Sequence, residues 1–280
     1  MNRLEEAIQN YVHDFQGGTG RSLEVLDKKI RQRIFEEKLF DDLIDKLKRI
    51  FPDLRGYRIL EIGSGTGGLG VALSLAGAKV FGVEPSVFGV TASVERAKRY
   101  PQSSAYFCVG TAETLPFKKE FFDLVVSSAV LEHVGDIEET IREMFRVLKP
   151  GGKIYHEIPN YLFPVEPHYK IFWIPLMPKR IGKIYAKLRG KNPLFLNHLN
   201  YTTPSRVNHY FSILGFSNLK NLYLDEFLGK FDHPDRFNRT YLRRLGEWVK
   251  QMGLQKWIQV CIKKLNFYPA IYLIGEKHAS

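Results

Sequence analysis

Two groups of residues in this 280-residue chain are of a kind that does chemistry. The first is Leu60-Glu61-Ile62-Gly63-Ser64-Gly65-Thr66-Gly67-Gly68. Apolar residues before it (Tyr57, Ile59) read as a buried strand. Leu69, Val71, Ala72, Leu73 and Leu75 after it read as a helix. A glycine turn between strand and helix brings backbone very close to a nucleotide-like ligand. Glu61 stands two residues before Gly63, where a carboxylate can hold an ammonium group. A pyrophosphate would gain from a bare helix N-terminus and lose from that anion. Glu84, followed by Pro85, ends a second predicted strand, and a carboxylate there can accept from both ribose hydroxyls. The second group is His133, with His168 and Glu166. An imidazole with a pKa of ~6.5 can take the proton of a hydroxyl.

The elements needed to position these groups follow in order. Ala78–Val83 reads as the second strand, Val87–Tyr100 as a helix and Ala105–Val109 as the third strand. Phe122–Val126 opens the fourth strand. Asp136 can cap a helix carrying Ile137, Ile141, Met144, Phe145 and Leu148 on one stripe. Lys149-Pro150-Gly151-Gly152 breaks it, and Lys153–Ile158 is the fifth strand. Ser217–Leu224 and Tyr268–Ile274 are expected as the sixth and seventh. The glycines alone leave two readings open, since Gly63, Gly65 and Gly68 also satisfy the dinucleotide pattern and Glu84 suits either adenosine cofactor.

The string Glu-x-Gly-x-Gly-x-Gly resembles motif I of the class I methyltransferases that use S-adenosylmethionine. The series FDLVVSSAVLEHV…REMFRVLKPGG resembles their type 11 group, over roughly residues 55 to 160. The resemblance implies an α/β fold: a doubly wound, mostly parallel, seven-stranded Rossmann-like sheet with helical cap insertions. It implies S-adenosylmethionine as cofactor. Glu61, Gly63, Ser64, Gly65 and Gly67 would surround the methionine part, and Glu84 with Pro85 the ribose. Gly110-Thr111-Ala112-Glu113 matches the adenine loop, with Thr111 where an aspartate is expected; Ala112 and Glu113 would act through backbone. Ser127 and Ser128, ending the fourth strand, complete the expected cofactor set.

Charge divides the chain. Residues 162–280 hold 19 Lys and Arg against 7 Asp and Glu, whereas residues 1–161 hold 22 against 23. The formal charge of +11 therefore belongs to the second half. Such asymmetry points to an acidic partner: a phosphorylated acceptor, an anionic lipid surface or nucleic acid. No RNA-binding motif accompanies it, which disfavours nucleic acid. Cys108 and Cys261 have no metal or redox spacing and suit a reducing cytoplasm. No metal cluster is expected from spacing, and neither a signal peptide nor a spanning segment is expected from hydropathy.

Residues 1–50 read as N-terminal helices, a lid hinged at Gly17-Gly18-Thr19-Gly20. Residues 51–280 form the methyltransferase domain, with helical insertions at about 162–200 and 235–266, the second split at Gly253. The Pro164–His168 loop follows the fifth strand and should border the acceptor pocket. Pro178 opens a basic helix expected to carry Ile181, Ile184, Tyr185 and Leu188 on one face, and Lys179, Arg180, Lys183, Lys187 and Arg189 elsewhere. His133, His168 and Glu166 are the catalytic candidates, and His156 is expected to be structural. The expected reaction is methylation, at oxygen, of a small-molecule, glycan or lipid-linked acceptor at the inner face of the membrane. The alternatives are a quinone or lipid methyltransferase and a basic nucleic-acid-binding module on the same fold. The segment from Tyr161 to Tyr201 loosely resembles methyltransferases of prokaryotic surface-glycan biosynthesis.

Overall fold

The computed structural model of the chain describes residues 2–16, 23–51, 53–237 and 240–278. The expected hinge at Gly17-Gly18-Thr19-Gly20 lies outside the described residues. Seven strands form one sheet in the order β3-β2-β1-β4-β5-β9-β8. They are β1 (Arg58–Ile62), β2 (Lys79–Glu84), β3 (Ala105–Val109), β4 (Phe122–Ser128), β5 (Leu148–Pro159), β8 (Phe216–Asn221) and β9 (Ala270–Lys277). Neighbours from β3 to β5 run parallel; β9 is antiparallel to both β5 and β8. The doubly wound expectation holds. The chain direction of strand addition reverses between β1 and β4, which opens a crevice beyond their carboxyl ends.

The sheet is buried on both faces. On β1, Ile59 packs with α3 (Asp41–Ile50) and α4 (Gly68–Leu75), while Leu60 and Ile62 join the opposite cluster with α6 (Ile137–Val147) and α8 (Pro204–Ile213). Leu124 and Val126 of β4 face the first cluster and Val125 the second. Strand alternation therefore decides where every polar residue on these strands points. Helix α5 (Val87–Ala97) is capped by Ser86, and α6 by Asp136, whose carboxylate accepts from the Glu139 N–H at 3.0 Å. Beside α5 lies α1 (Arg3–Gln16), with Leu4, Ala7, Ile8, Tyr11 and Val12 buried together with Ala92 and Leu26 of α2 (Leu23–Ile34).

Strand β5 begins at Leu148, expected on the preceding helix, and the sixth strand also ends earlier than the sequence reading. β8 stops at Asn221, whose side chain accepts from the Tyr223 N–H and starts α9 (Leu222–Asp232). The run Leu222-Tyr223-Leu224 is thus a helix start, capped by an asparagine, instead of strand. Helices α10 (Thr240–Gln251) and α11 (Gln255–Leu265) follow, separated by Gly253 at φ +67° as expected. In the other insertion, β6 (Val165–Glu166) and β7 (Ile171–Phe172) pair as a small ribbon, followed by α7 (Lys179–Leu188) and a 3-10 turn over Pro193–His198. Fully buried Trp173 nucleates this cap with Met177, Ala186, Leu196 and Leu199. No helix among the described residues is long and apolar enough to cross a membrane.

Candidate active site

The crevice at the switch point is a cavity of about 580 Å³, within the ~300–1,000 Å³ of small-molecule sites. One wall is the glycine turn. Gly63, Gly65 and Gly67 all have positive φ, at +71°, +54° and +77°. At Gly67 a Cβ would lie 2.7 Å from the Ser93 Cα, so the turn can press against α5 only without a side chain. Gly67 does not line the cavity; it shapes the turn that does.

The two expected carboxylates meet there. Glu61 is 4 % exposed, lies on the α4 side of β1, and leaves Oε2 without a hydrogen-bond partner among the described residues. Burial, then the charges of Glu36 and Glu84, push its pKa well above the usual carboxylate range. Glu84 is also raised, first by burial, against the lowering effect of the Ser86 and Gly65 N–H groups. Those groups donate to Glu84 Oε1 and Oε2 at 3.1 and 2.9 Å, leaving further lone pairs on each oxygen. A cation entering beside these acids would favour their ionised forms. Ser64, equally buried, also has an unpartnered hydroxyl.

Three residues invisible to motif reading complete this end. Tyr11, Arg33 and Glu36 line the cavity from the N-terminal segment. A Cβ on Gly65 would stand 3.4 Å from the Tyr11 hydroxyl and 3.7 Å from Arg33 Nη1. Arg33 also donates to the Thr66 hydroxyl and the Glu36 carboxylate, at 3.0 and 2.9 Å. A guanidinium and several carboxylates around one turn match the opposite charges of an amino-acid zwitterion. Orphaned acceptors, a close-approach turn, ribose-type acceptor Glu84 and this charge set all fit S-adenosylmethionine.

At the loop expected to meet adenine, buried Ala112 and exposed Thr111 line the cavity, and the Thr111 hydroxyl lies 3.1 Å from that of Thr114. Glu113 spends one oxygen on the Gly135 N–H at 2.7 Å, tying this loop to the segment before α6. Ser128 borders the cavity and Ser127 does not. Ser127 follows Val125 onto the α6/α8 face of β4, where its hydroxyl bonds His156 Nδ1. The expected cofactor contact of the Ser127 side chain is therefore corrected. His156, fully buried, is structural, and burial lowers its pKa to about 3.

The opposite wall carries histidines. His133 and His168 line the cavity with Nε2 atoms 3.2 Å apart. His133 follows β4; its neighbours are fixed by Asn200, which donates N–H to the Glu132 carbonyl and Nδ2–H to the Val134 carbonyl, each at 2.7 Å. His168 sits in the turn of the β6/β7 ribbon. Burial, then charge on His168 and His198, lowers the His133 pKa to about 4, so its imidazole is neutral. Glu166 is fully buried outside the cavity. Its Oε1 lies 2.8 Å from His168 Nδ1 and its Oε2 accepts from the Tyr169 N–H at 2.5 Å. Glu166 is thus a positioning residue for His168, which corrects its expected place among the reacting groups. Phe195 lies edge-on to the His133 ring and tilted against the His168 ring, with centroids at 5.7 and 5.1 Å. Glu132, also fully buried, has its pKa raised to about 8, chiefly by burial. Against the expectation of no metal cluster, Glu132, His133 and His168 offer ligand atoms all within 4.8 Å of one another.

A methyltransferase-domain family model matches residues 60–156. An uncharacterized protein of Methanocaldococcus jannaschii is 32% identical over 184 residues, 66% of this chain and 75% of that protein. The ubiquinone biosynthesis O-methyltransferase of Rhizobium leguminosarum is 37% identical over 180 residues, 61% of this chain and 69% of the relative. The ubiquinone/menaquinone biosynthesis C-methyltransferase of Vibrio vulnificus is 32% identical over 137 residues, and the match spans 52%, about half, of its length. Among solved structures, Haemonchus contortus phosphoethanolamine N-methyltransferase 2 in complex with phosphomonomethylethanolamine and S-adenosylhomocysteine is similar in fold. It has a TM-score of 0.55 at 19% identity, over 85% of this chain and 53% of that one. Sequence kinship and the architecture around the glycine turn agree: the chain belongs to the class I S-adenosylmethionine-dependent methyltransferases.

Proposed function

We propose that this methyltransferase methylates a hydroxyl group of an amphiphilic small-molecule acceptor presented at a membrane surface. The observation that carries the oxygen assignment is the pair of imidazoles, His133 and His168, on the cavity wall. A hydroxyl must shed its proton as it gains a methyl, and an imidazole lone pair serves that need. Bound S-adenosylmethionine supplies an activated methyl on a sulfonium centre. The chain holds the cofactor through the glycine turn, Glu61 and Glu84. The cap, anchored by Asn200, places Phe195 beside the histidines. Positioning of this kind is worth about 7–11 kcal/mol in a bimolecular reaction. The N-terminal segment, which brings Tyr11, Arg33 and Glu36 to the cavity, acts as the cofactor's cover.

Support for an amphiphilic acceptor comes from α7. The helix seats Gly182 and Ala186 against Trp173 and Leu196, with Tyr185 packed alongside. Ile181, Ile184 and Leu188 therefore point outward, 57%, 64% and 80% exposed. Phe172, Ile174 and Leu176 stand exposed on the preceding segment. Lys179, Arg180, Lys183, Lys187 and Arg189 share the helix and its end. An apolar stripe with a basic border is the pattern of interfacial binding. A quinone-type ring is the acceptor favoured by the names of the relatives, and a lipid-linked glycan also fits the charge.

The test is transfer of labelled methyl from S-adenosylmethionine into lipid and aqueous fractions of a cell extract. Label should enter the lipid fraction as an ether that resists hydrolysis by acid or base. His133→Ala should lower that incorporation about 10²–10⁴-fold while binding S-adenosylhomocysteine normally. Label confined to water-soluble nitrogen or carbon products would refute this reading.

A further inference from the structure

We propose that Glu132, His133 and His168 bind a divalent first-row transition-metal cation at the edge of the methyl-transfer cavity. Each contributes one donor: a carboxylate oxygen and two Nε2 atoms, all mutually within 4.8 Å. The two Nε2 atoms are 3.2 Å apart. Two imidazoles each ~2.0–2.1 Å from one zinc ion stand roughly 3–3.4 Å apart, so the observed separation is that of two ligands sharing an ion.

A second observation points the same way. Glu132 is fully buried, and neither of its oxygens has a hydrogen-bond partner among the described residues. Oε1 lies 4.0 Å from His133 Nε2. A carboxylate stripped of water and donors costs free energy that only a cation or a proton can offset. The residues around it are held, not loose. Glu166 lies against His168 Nδ1, which leaves Nε2 turned toward His133. Carboxylate-backed histidine is the common outer support of metal-ligating imidazole. Asn200 fixes the backbone on both sides of His133 through the Glu132 and Val134 carbonyls.

Three protein ligands leave a coordination position open, as in catalytic sites of the His₂-carboxylate type. Since His133 and His168 both line the cavity, that position belongs to the acceptor's side of the protein. With both Nε2 lone pairs on it, the cation would take over from the free imidazoles in activating the acceptor, lowering the pKa of a hydroxyl that touched it. Two imidazoles select zinc, iron, cobalt or nickel over magnesium and calcium, which prefer all-oxygen shells.

The experiment uses the full chain without a histidine tag, stripped with a chelator and titrated with Co²⁺ and Zn²⁺. Bound metal is counted after dialysis, and Co²⁺ is followed by its visible absorption. One Co²⁺ per chain is expected, displaced by Zn²⁺ and unaffected by millimolar Mg²⁺. His168→Ala and, separately, His168→Gln should abolish the stoichiometric band. Glu166→Gln should weaken binding about 10–100-fold. S-adenosylhomocysteine affinity, measured by calorimetry on the same samples, should change less than about threefold in all three variants. Wild-type protein that takes up no Co²⁺, or takes it up equally in the His168 variants, overturns the proposal. If S-adenosylhomocysteine binds in that experiment, the metal alone is refuted and the methyltransferase reading stands; if it does not, the cofactor site itself is wrong.

Discussion

The Arg96 guanidinium of α5, with no exposed surface, forms an ion pair with the Glu37 carboxylate of the N-terminal segment. Arg96 also donates Nε–H to the Thr66 carbonyl in the glycine turn at 2.8 Å and bonds the Arg33 and Ile34 carbonyls. Tyr100 donates its hydroxyl proton to the other Glu37 oxygen at 2.7 Å. Although burial raises the Glu37 pKa, the Tyr100 and Arg96 bonds win and hold it below the usual range. One side chain thus couples the glycine turn to the segment that supplies Arg33 and Glu36.

Breaking that pair should loosen both. Arg96→Ala leaves a buried carboxylate uncompensated, and loss of a buried ion-pair partner costs about 3–5 kcal/mol. Urea unfolding should show that loss, and S-adenosylhomocysteine should bind more weakly to whatever protein remains folded at low urea. A variant as stable as wild type would show that the N-terminal segment does not depend on this contact.

Glu84→Gln should weaken S-adenosylhomocysteine binding at least about tenfold. Hydrogen bonds to a charged group contribute roughly 1.5–3 kcal/mol each, and glutamine keeps an oxygen for a backbone N–H while losing the charge the ribose would meet. Calorimetry giving unchanged affinity would remove Glu84 from the ribose site.

The outward stripe of α7 should bind anionic membranes. Basic residues near such a surface contribute about 1 kcal/mol each, so wild-type protein should sediment with vesicles rich in anionic phospholipid at low salt. Ile181→Asp with Ile184→Asp, both exposed, should stay in the supernatant without loss of stability. Equal sedimentation of the two proteins would end the membrane-surface idea.

His156 makes stability fall in acid. Burial holds its folded pKa at about 3, against ~6.5 in the unfolded chain. Below pH ~6.5 the unfolded state binds the extra proton, so this contribution is complete above 6.5 and is lost progressively as pH falls towards 3. The slope is up to ~1.4 kcal/mol per pH unit. Between pH 7.5 and 5.5, His156→Phe should lose about 1.4 kcal/mol less than wild type in chemical denaturation. Parallel losses would show that His156 takes up its proton in the folded protein as readily as in the unfolded chain.

The sequence alone determined the sheet and the cofactor turn, because both are local signals. The glycines, Glu61 and Glu84 lie on consecutive βα units, and β3 falls at Ala105–Val109 as read. The split at Gly253 and the Asp136 cap were legible for the same reason. What failed depended on which way a side chain faces. Ser127 and Ser128 are adjacent, yet alternation sends one to His156 and the other to the cavity. The stripe Ile181, Ile184 and Leu188 has helical spacing, which leaves its direction open, and the contact of Gly182 with Trp173 turns it outward.

Tertiary structure decided the rest of the site. His133 and His168 are 35 residues apart and come from different elements; no spacing rule relates them, and only the cap folding back over the end of β4 brings His168 to His133 and Glu132. Arg33 and Glu36 reach the cavity where Arg96, far along the chain, bonds their segment to the turn, and Tyr11 reaches it where α1 packs on α5. Local pattern encodes elements, because backbone hydrogen bonds close within a few residues. Which elements meet is set by burial of the whole chain, and an active site assembled between elements inherits that dependence.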